Sequence, residues 1–258
     1  MIDLYQKELF KLRKKKSTLI EITFLTILNF SMALLSHLEP KHFIPRQLFI
    51  SNFATDFFIQ IFLIATAASI VASEFEYNTI KNLIYQTNSR EQILISKWCA
   101  TFTLAILMYG MMIGETLINY LLFFRGKYHL TDHLAGKQNL WQYWLNVLGA
   151  EFLNLWLLLS MVFLIAAVMK KSSIAVIVGI VGDLALSLVG SLMFGLIQKW
   201  EFLKWNPINF LNYSAQLTQP EYYHRLTRLT QPQLITGNII YTFIFLSLGL
   251  YFFSQKEV

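Results

Sequence analysis

Five acidic side chains, Glu21, Asp56, Glu115, Glu151 and Asp183, sit inside stretches that are otherwise apolar. A charge at the centre of a bilayer costs about 3 kcal/mol or more, so an intramembrane carboxylate is a functional candidate by default. Asp183 lies nearest to mid-stretch, Asp56, Glu115 and Glu151 fall toward one half, and Glu21 near the opposite end. Asn119 follows Glu115 by one helical turn and Asn154 follows Glu151 by three residues, so each pair shares a helix face. Three chemistries fit these residues. They line a route for cationic, amphipathic cargo; they relay protons; or they accept hydrogen bonds from neighbouring helices near an interface. His129, Asp132 and His133 have metal-ligand spacing if their segment is helical, but two imidazoles do not close a site, and a solvated loop is the favoured reading. The single cysteine, Cys99, excludes an internal disulfide and a cysteine-only metal cluster. Gly126-Lys127 is followed by Tyr128 and Gly136-Lys137 by Gln138, so the Ser or Thr that completes a phosphate-binding loop is missing, and the chain has no such route to ATP hydrolysis. No nucleophilic triad order and no His-Glu-x-x-His pattern appears.

Lipid must be the main solvent of the elements that hold these residues. Only 14% of the 258 residues are charged while 55% are hydrophobic and 16% aromatic, against about 25% charged in a soluble domain. Mean hydropathy is +0.49. Six stretches meet the requirement of about 20 apolar residues for a spanning helix: 18–37, 53–73, 98–123, 143–169, 173–197 and 234–253. They are helical because Leu104-Ala105-Ile106-Leu107-Met108 and Ile174-Ala175-Val176-Ile177-Val178 do not alternate as barrel strands would. Lys7, Lys11, Arg13, Lys14, Lys15 and Lys16 precede the first span, with Lys81, Arg90, Lys97, Lys170, Lys171 and Lys256 on the same side. Lys41, Arg46, Arg125, Lys127, Lys137, Lys199, Lys204, Arg225 and Arg228 are spread over the longer opposite segments. The positive-inside rule then puts both termini in the cytoplasm and makes the net charge of +6 a topology signal rather than a nucleic-acid footprint. Trp98, Trp141, Trp144, Trp200 and Trp205 fall near span ends, where indoles anchor. Ser31-Met32-Ala33 has the small residues of a signal cleavage site, but the apolar run continues through Leu34-Leu35, so an uncleaved first span is expected. Gly110 with Gly114, Ala65 with Ser69, Ala68 with Ala72, and Gly179, Gly182 and Gly190 allow close helix approach, within the chain or at a seam with another.

Between the spans, Ile2, Tyr5, Leu9 and Leu12 recur with helical spacing while Lys7, Lys11 and Lys14 lie elsewhere on the wheel. Residues 1–16 are therefore expected as an amphipathic helix in the headgroup region rather than a solvated leader, placed to act as a lever on the first span. Segment 74–97 has helical character, breaks at Thr87-Asn88-Ser89 with N-cap chemistry, and resumes with Glu91-Gln92. Glu74 and Glu76 at its start and Lys81 within it suit docking against a soluble partner. This stretch resembles the second-span exit and coupling helix of type-2 ATP-binding-cassette (ABC) exporter permeases. In that family a Glu leaves the span, a Gly-Thr-Ile-Lys-like step follows, and a Pro-x-x-Arg turn leads to a Lys that opens the next span. Glu74 or Glu76, Thr79-Ile80-Lys81, Arg90 and Lys97 follow that order. Asn78 stands where Gly is usual and Thr87 where Pro often sits; Asn tolerates a left-handed backbone, so the first departure is mild. The six-span plan and the aromatic segment 198–233 also resemble the family, in which that external region forms short helices dipping into the outer leaflet, at a step similar to Asn206-Pro207-Ile208-Asn209-Phe210-Leu211. A simple surface loop is the other reading of 198–233.

The resemblance implies an all-α, polytopic membrane protein: one permease domain over 1–258 with six transmembrane helices, an N-terminal interfacial helix and a cytoplasmic coupling helix within 74–97. It implies no catalysis by this chain. Two separate ATPase subunits would hold ATP and Mg, and a second permease, same or different, would pair through the first and fifth spans. Glu74, Glu76, Thr79, Lys81 and Arg90 are the expected ATPase-coupling contacts. Asp183, Glu115, Asn119, Glu151 and Asp56 are the expected substrate path, and the cargo an amphipathic peptide toxin, bacteriocin or lipid-like drug, exported or resisted in self-immunity. A proton-coupled secondary transporter using Asp183 and Glu115 is the alternative, and it would usually carry an internal repeat, which the sequence lacks.

Overall fold

Hydrocarbon offers no partner for a backbone N–H or C=O, so each apolar stretch closes its hydrogen bonds within itself as a helix. The structure, a computed structural model, describes residues 1–77, 79, 89–133 and 138–256. Its helices are α1 (Ile2–Lys14), α2 (Lys16–Leu38), α3 (Pro45–Ile50), α4 (Thr55–Glu76), α5 (Arg90–Phe123), α6 (Leu140–Val168), α7 (Ser172–Lys199), the short α8 (Pro207–Phe210), α9 (Tyr213–Thr218) and α10 (Pro220–Thr227), and α11 (Gln231–Gln255). Of these, α2, α4, α5, α6, α7 and α11 are long and apolar enough to cross a membrane. The all-α, six-span architecture expected from the sequence is therefore present. Two starts differ from the apolar boundaries because polar caps extend them. The Ser89 hydroxyl accepts the Gln92 N–H at 3.3 Å, so α5 begins at Arg90, and a Thr230/Gln233 capping box starts α11 at Gln231. The chain packs as two compact units, Met1–Leu63 with Ile95–Trp144, and Ile64–Leu94 with Leu145–Val258.

In the first unit α1 buries Leu4, Glu8 and Leu12, a stripe turned from the expected one, and Ile2 is exposed. The reason is an ion pair: Glu8, 3% exposed, meets the wholly buried Lys97 Nζ at 3.1 Å. Lys11 reaches the same carboxylate oxygen at 2.9 Å, and the Tyr5 and Thr103 hydroxyls share a hydrogen bond of 2.8 Å. These contacts clamp α1 to the first turns of α5.

At the other end of this unit, Asn52, Phe53 and Ala54 all have left-handed backbones, with φ of 49°, 52° and 63°. Each such L-residue costs about 1–2 kcal/mol, and the cost is offset by a polar node. Asn29 of α2 donates to the Asn52 carbonyl at 3.2 Å and to the Thr55 hydroxyl at 2.9 Å. Asn119 of α5 donates to Asn29 Oδ1 at 2.7 Å, and Trp144 Nε1 donates to Asn52 Oδ1 at 2.9 Å. The buried rings of Phe49, Phe53, Phe124 and Trp144 close over the turn, with Phe49 and Trp144 centroids 4.9 Å apart and Phe53 stacked on Phe124 at 5.9 Å.

In the second unit α8 is capped by Asn206, whose side chain accepts the Asn209 N–H at 3.0 Å, with Pro207 in the first turn. Phe210 then packs with Leu157 of α6 and with Leu229 and Leu234. Its ring lies against Gly237, where any side chain would collide with it. Asn238 donates to the Phe210 carbonyl at 2.8 Å, and Asn154 of α6 donates to the Leu211 carbonyl at 2.7 Å and the Ser214 hydroxyl at 3.1 Å. Gly179 brings α7 close to α4, since a Cβ there would stand 2.8 Å from Ile64 Cγ2.

Two measurements test this packing. Asn29→Ala should lower stability by about 2 kcal/mol, at the upper end of intramembrane hydrogen-bond values because it frees a strained turn. Asn119→Ala should cost less, since the turn stays held; thermal unfolding in detergent compares the two. Lys97→Met should cost about 3 kcal/mol, the low end for a broken buried pair because Lys11 still reaches Glu8, and the Glu8→Gln/Lys97→Met double variant should recover most of it.

Candidate functional site

Four helices of the second unit end where α4 leaves its apolar run, and side chains near that exit satisfy the ends of α6, α7 and α11. Glu74, on the last turn of α4, is 5% exposed, and its carboxylate accepts the Thr79 hydroxyl. Phe75 packs edge-on against Phe253 of α11 with centroids 5.4 Å apart. Glu76 is exposed, and its Oε2 accepts the backbone N–H of Ser172 at 2.9 Å. That places a carboxylate on the N-terminal end of α7, where the helix dipole favours negative charge. Arg90, at the start of α5, donates to the carbonyls of Ser254 at 3.0 Å and Lys256 at 2.6 Å, which closes the C-terminal end of α11. Lys256 donates in turn to the carbonyls of Ala167 at 3.0 Å and Met169 at 2.7 Å at the end of α6, with its ammonium 3.6 Å from the Phe75 ring centre. Burial, and secondarily the charge of Lys170, pushes that ammonium down to about 8.

Glu74, Glu76, Thr79 and Arg90 thus meet around one helix exit, with Glu74 and Arg90 turned into the protein rather than displayed. Lys81, expected beside them, lies outside the described residues, as do Asn78 and Thr87. Tyr77, 72% exposed, is the aromatic that the exit displays and that the residue pattern did not single out. Lys256 and Ser172 were legible only as a topology count and a span start; their roles come from the neighbours that the fold supplies.

The intramembrane carboxylates are distributed over both units. Asp56 occupies the first turn of α4, an ordinary place for an acid at a helix start. Glu115, half-buried, accepts the Thr26 hydroxyl at 2.6 Å, and Asn119 belongs to the Asn29 node; these three lie in the first unit. Glu151 and Asp183 are half-buried on α6 and α7 in the second. Among the described residues, no neighbouring helix comes within 4 Å of where a Cβ on Gly110, Gly114 or Gly182 would stand. Asp132 accepts from Arg46 at 2.5 Å and from the His129 N–H at 3.1 Å. Among the described residues no three His, Cys, Asp or Glu side chains gather as a metal site.

Residues 4–186 match a family model described as ABC-2 family transporter protein. The membrane protein YdbK of Bacillus subtilis (strain 168) is 25% identical over 255 residues, covering 96% of this chain and 99% of that protein. YhcI of the same organism is 33% identical over 124 residues, 45% of this chain and 40% of YhcI.

Arg90→Gln and Lys256→Met should each release the end of α11, giving faster carboxypeptidase trimming of the residues after 250 at an unchanged melting temperature of the spans.

Proposed function

The chain belongs to the ABC-2 transporter family, and from that premise we propose that it is the permease half of an ATP-driven exporter. It is a multi-pass membrane protein and a component of a transporter whose family associates with an ATP-binding subunit. In the proposed assembly two ATPase subunits hold ATP and Mg, and a second permease, identical or different, completes the pathway. The observation that carries the reading is the linkage at the α4 exit. Residues 74–86 would be the coupling helix, with Tyr77, Glu76, Thr79 and Lys81 toward the ATPase and Glu74 and Arg90 holding the segment in place. A push there reaches α7 through Glu76 and Ser172, α11 through Phe75 and Phe253, and α6 through Lys256.

Pairing with the second permease is supported by α7. Ile177, Val181, Leu184, Leu188 and Leu192 are 54–73% exposed along one stripe, a surface that lipid covers in a lone chain and a partner helix covers in a pair. Both termini and the α4 exit would face the cytoplasm of a bacterial cell, following the basic residues. Asp183, Glu115, Asn119, Glu151 and Asp56 would border the cargo route, and carboxylates there favour a cationic amphipath: a peptide toxin, bacteriocin or lipid-like drug, moved outward and in some hosts giving self-immunity.

Co-purification with the cognate ATPase tests the reading. Tyr77→Ala combined with Glu76→Lys should reduce recovered ATPase at least tenfold, whereas Glu76→Gln, which keeps the hydrogen bond to Ser172, should leave it nearly unchanged. Full association after the double change would remove the coupling assignment.

A further inference from the structure

The first unit contains a cavity of about 490 Å³ between α1, α2 and α5 that the transporter reading does not use. That volume falls within the range of about 300–1,000 Å³ usual for small-molecule sites. Gln6 and Arg13 of α1 bring polar groups to its lining, and Leu19 and Ile22 of α2 with Leu107 and Met111 of α5 bring apolar ones. From Thr103 to Met111 the α5 wall extends about 12 Å, at about 1.5 Å per residue. The groove is open to its surroundings, because Leu19 is 61% and Leu107 63% exposed on its walls.

Charge decides what fits there. Two acids lie beside groove residues: Glu8 of α1 is turned into the protein and neutralised by Lys97 and Lys11, and Glu21 of α2 is set against the charge of Lys15. Arg13 is exposed at the groove, and among the described residues no carboxylate pairs with it. A guanidinium free to fork onto a phosphate, set at headgroup depth above an apolar channel, matches an ester phosphate carrying an acyl chain. Lys14, whose ammonium lies 5.9 Å from the ring centre of Phe10 in the groove wall, adds positive charge beside it.

We propose that this groove is a discrete binding site for one anionic phospholipid, with its phosphate on Arg13 and one acyl chain along Ile22, Leu107 and Met111. The lipid completes the joint between α1 and the first and third spans, filling the angle that the Glu8–Lys97 pair leaves open. The site depends on the chain lying in a membrane and not on the exporter reading.

Native mass spectrometry of the purified chain, supplied with equal phosphatidylglycerol and phosphatidylcholine, tests it. Wild-type protein should retain one phosphatidylglycerol per chain with at least fivefold preference. Arg13→Gln should bring the preference within twofold, and Arg13→Lys should keep at least half of it. Leu107→Trp, which fills the groove from an exposed position, should lower retention of both lipids at least threefold. Lys16→Gln, a charge removed outside the groove, should change nothing. No preference in the wild type overturns the proposal without any variant being needed. An equal loss in Lys16→Gln and Arg13→Gln would replace the site by a diffuse basic surface. Retention unchanged in Leu107→Trp would place the lipid elsewhere, and displacement of phosphatidylglycerol by a cationic amphipathic peptide at equal concentration would make the groove a cargo site. Circular dichroism melting within 3 °C of wild type checks that each variant is folded.

Discussion

Wherever the chain departs from a continuous helix at membrane depth, the freed backbone groups need a partner that lipid cannot supply. That constraint accounts for several of the polar side chains that the fold turns inward. Asn29 holds the left-handed turn at Asn52–Ala54. Asn154, Asn209 and Asn238 satisfy carbonyls of the short-helix segment, at Leu211, Thr227 and Phe210. Glu76 occupies the open N–H end of α7, and Arg90 and Lys256 occupy the open C=O ends of α11 and α6. Carboxamides serve inside the spans and charged groups serve at their ends, since a neutral amide supplies both donor and acceptor without the solvation penalty of an ion.

The same constraint gives the second unit its mechanical character. Helix ends that share side chains cannot move independently: shifting the exit of α4 disturbs the cap of α7, the Phe75–Phe253 contact, and the Lys256 bridge to α6. In the first unit the buried Glu8–Lys97 pair plays the corresponding part for α1. An ion pair so deeply buried contributes little net stability, but it fixes the rotation of α1 about its axis, because any other rotation strands a charge.

The intramembrane acids illustrate why residue type alone does not define a site. Glu115 and Asp56 are accommodated locally, one by the Thr26 hydroxyl and one by a helix start. A cargo role for them requires that these local bonds exchange for bonds to a ligand, which a hydroxyl partner permits more readily than a salt bridge would.

Sequence by itself determined the number of spans, their helical state and the orientation signal, since these depend on hydropathy, length and charge, all properties of contiguous residues. It also located the start of α5 after Ser89, because caps act within one turn. It did not determine that Glu8 meets Lys97 or that Arg90 serves the end of α11, pairs separated by many tens of residues. Nor did it announce three left-handed residues without a glycine, whose cost is met by Asn29 from another helix. Which face of α1 is buried, and whether Glu74 points inward or out, were set by tertiary contacts alone, because an amphipathic stripe tolerates an acid on its buried side only when the fold delivers a lysine to it.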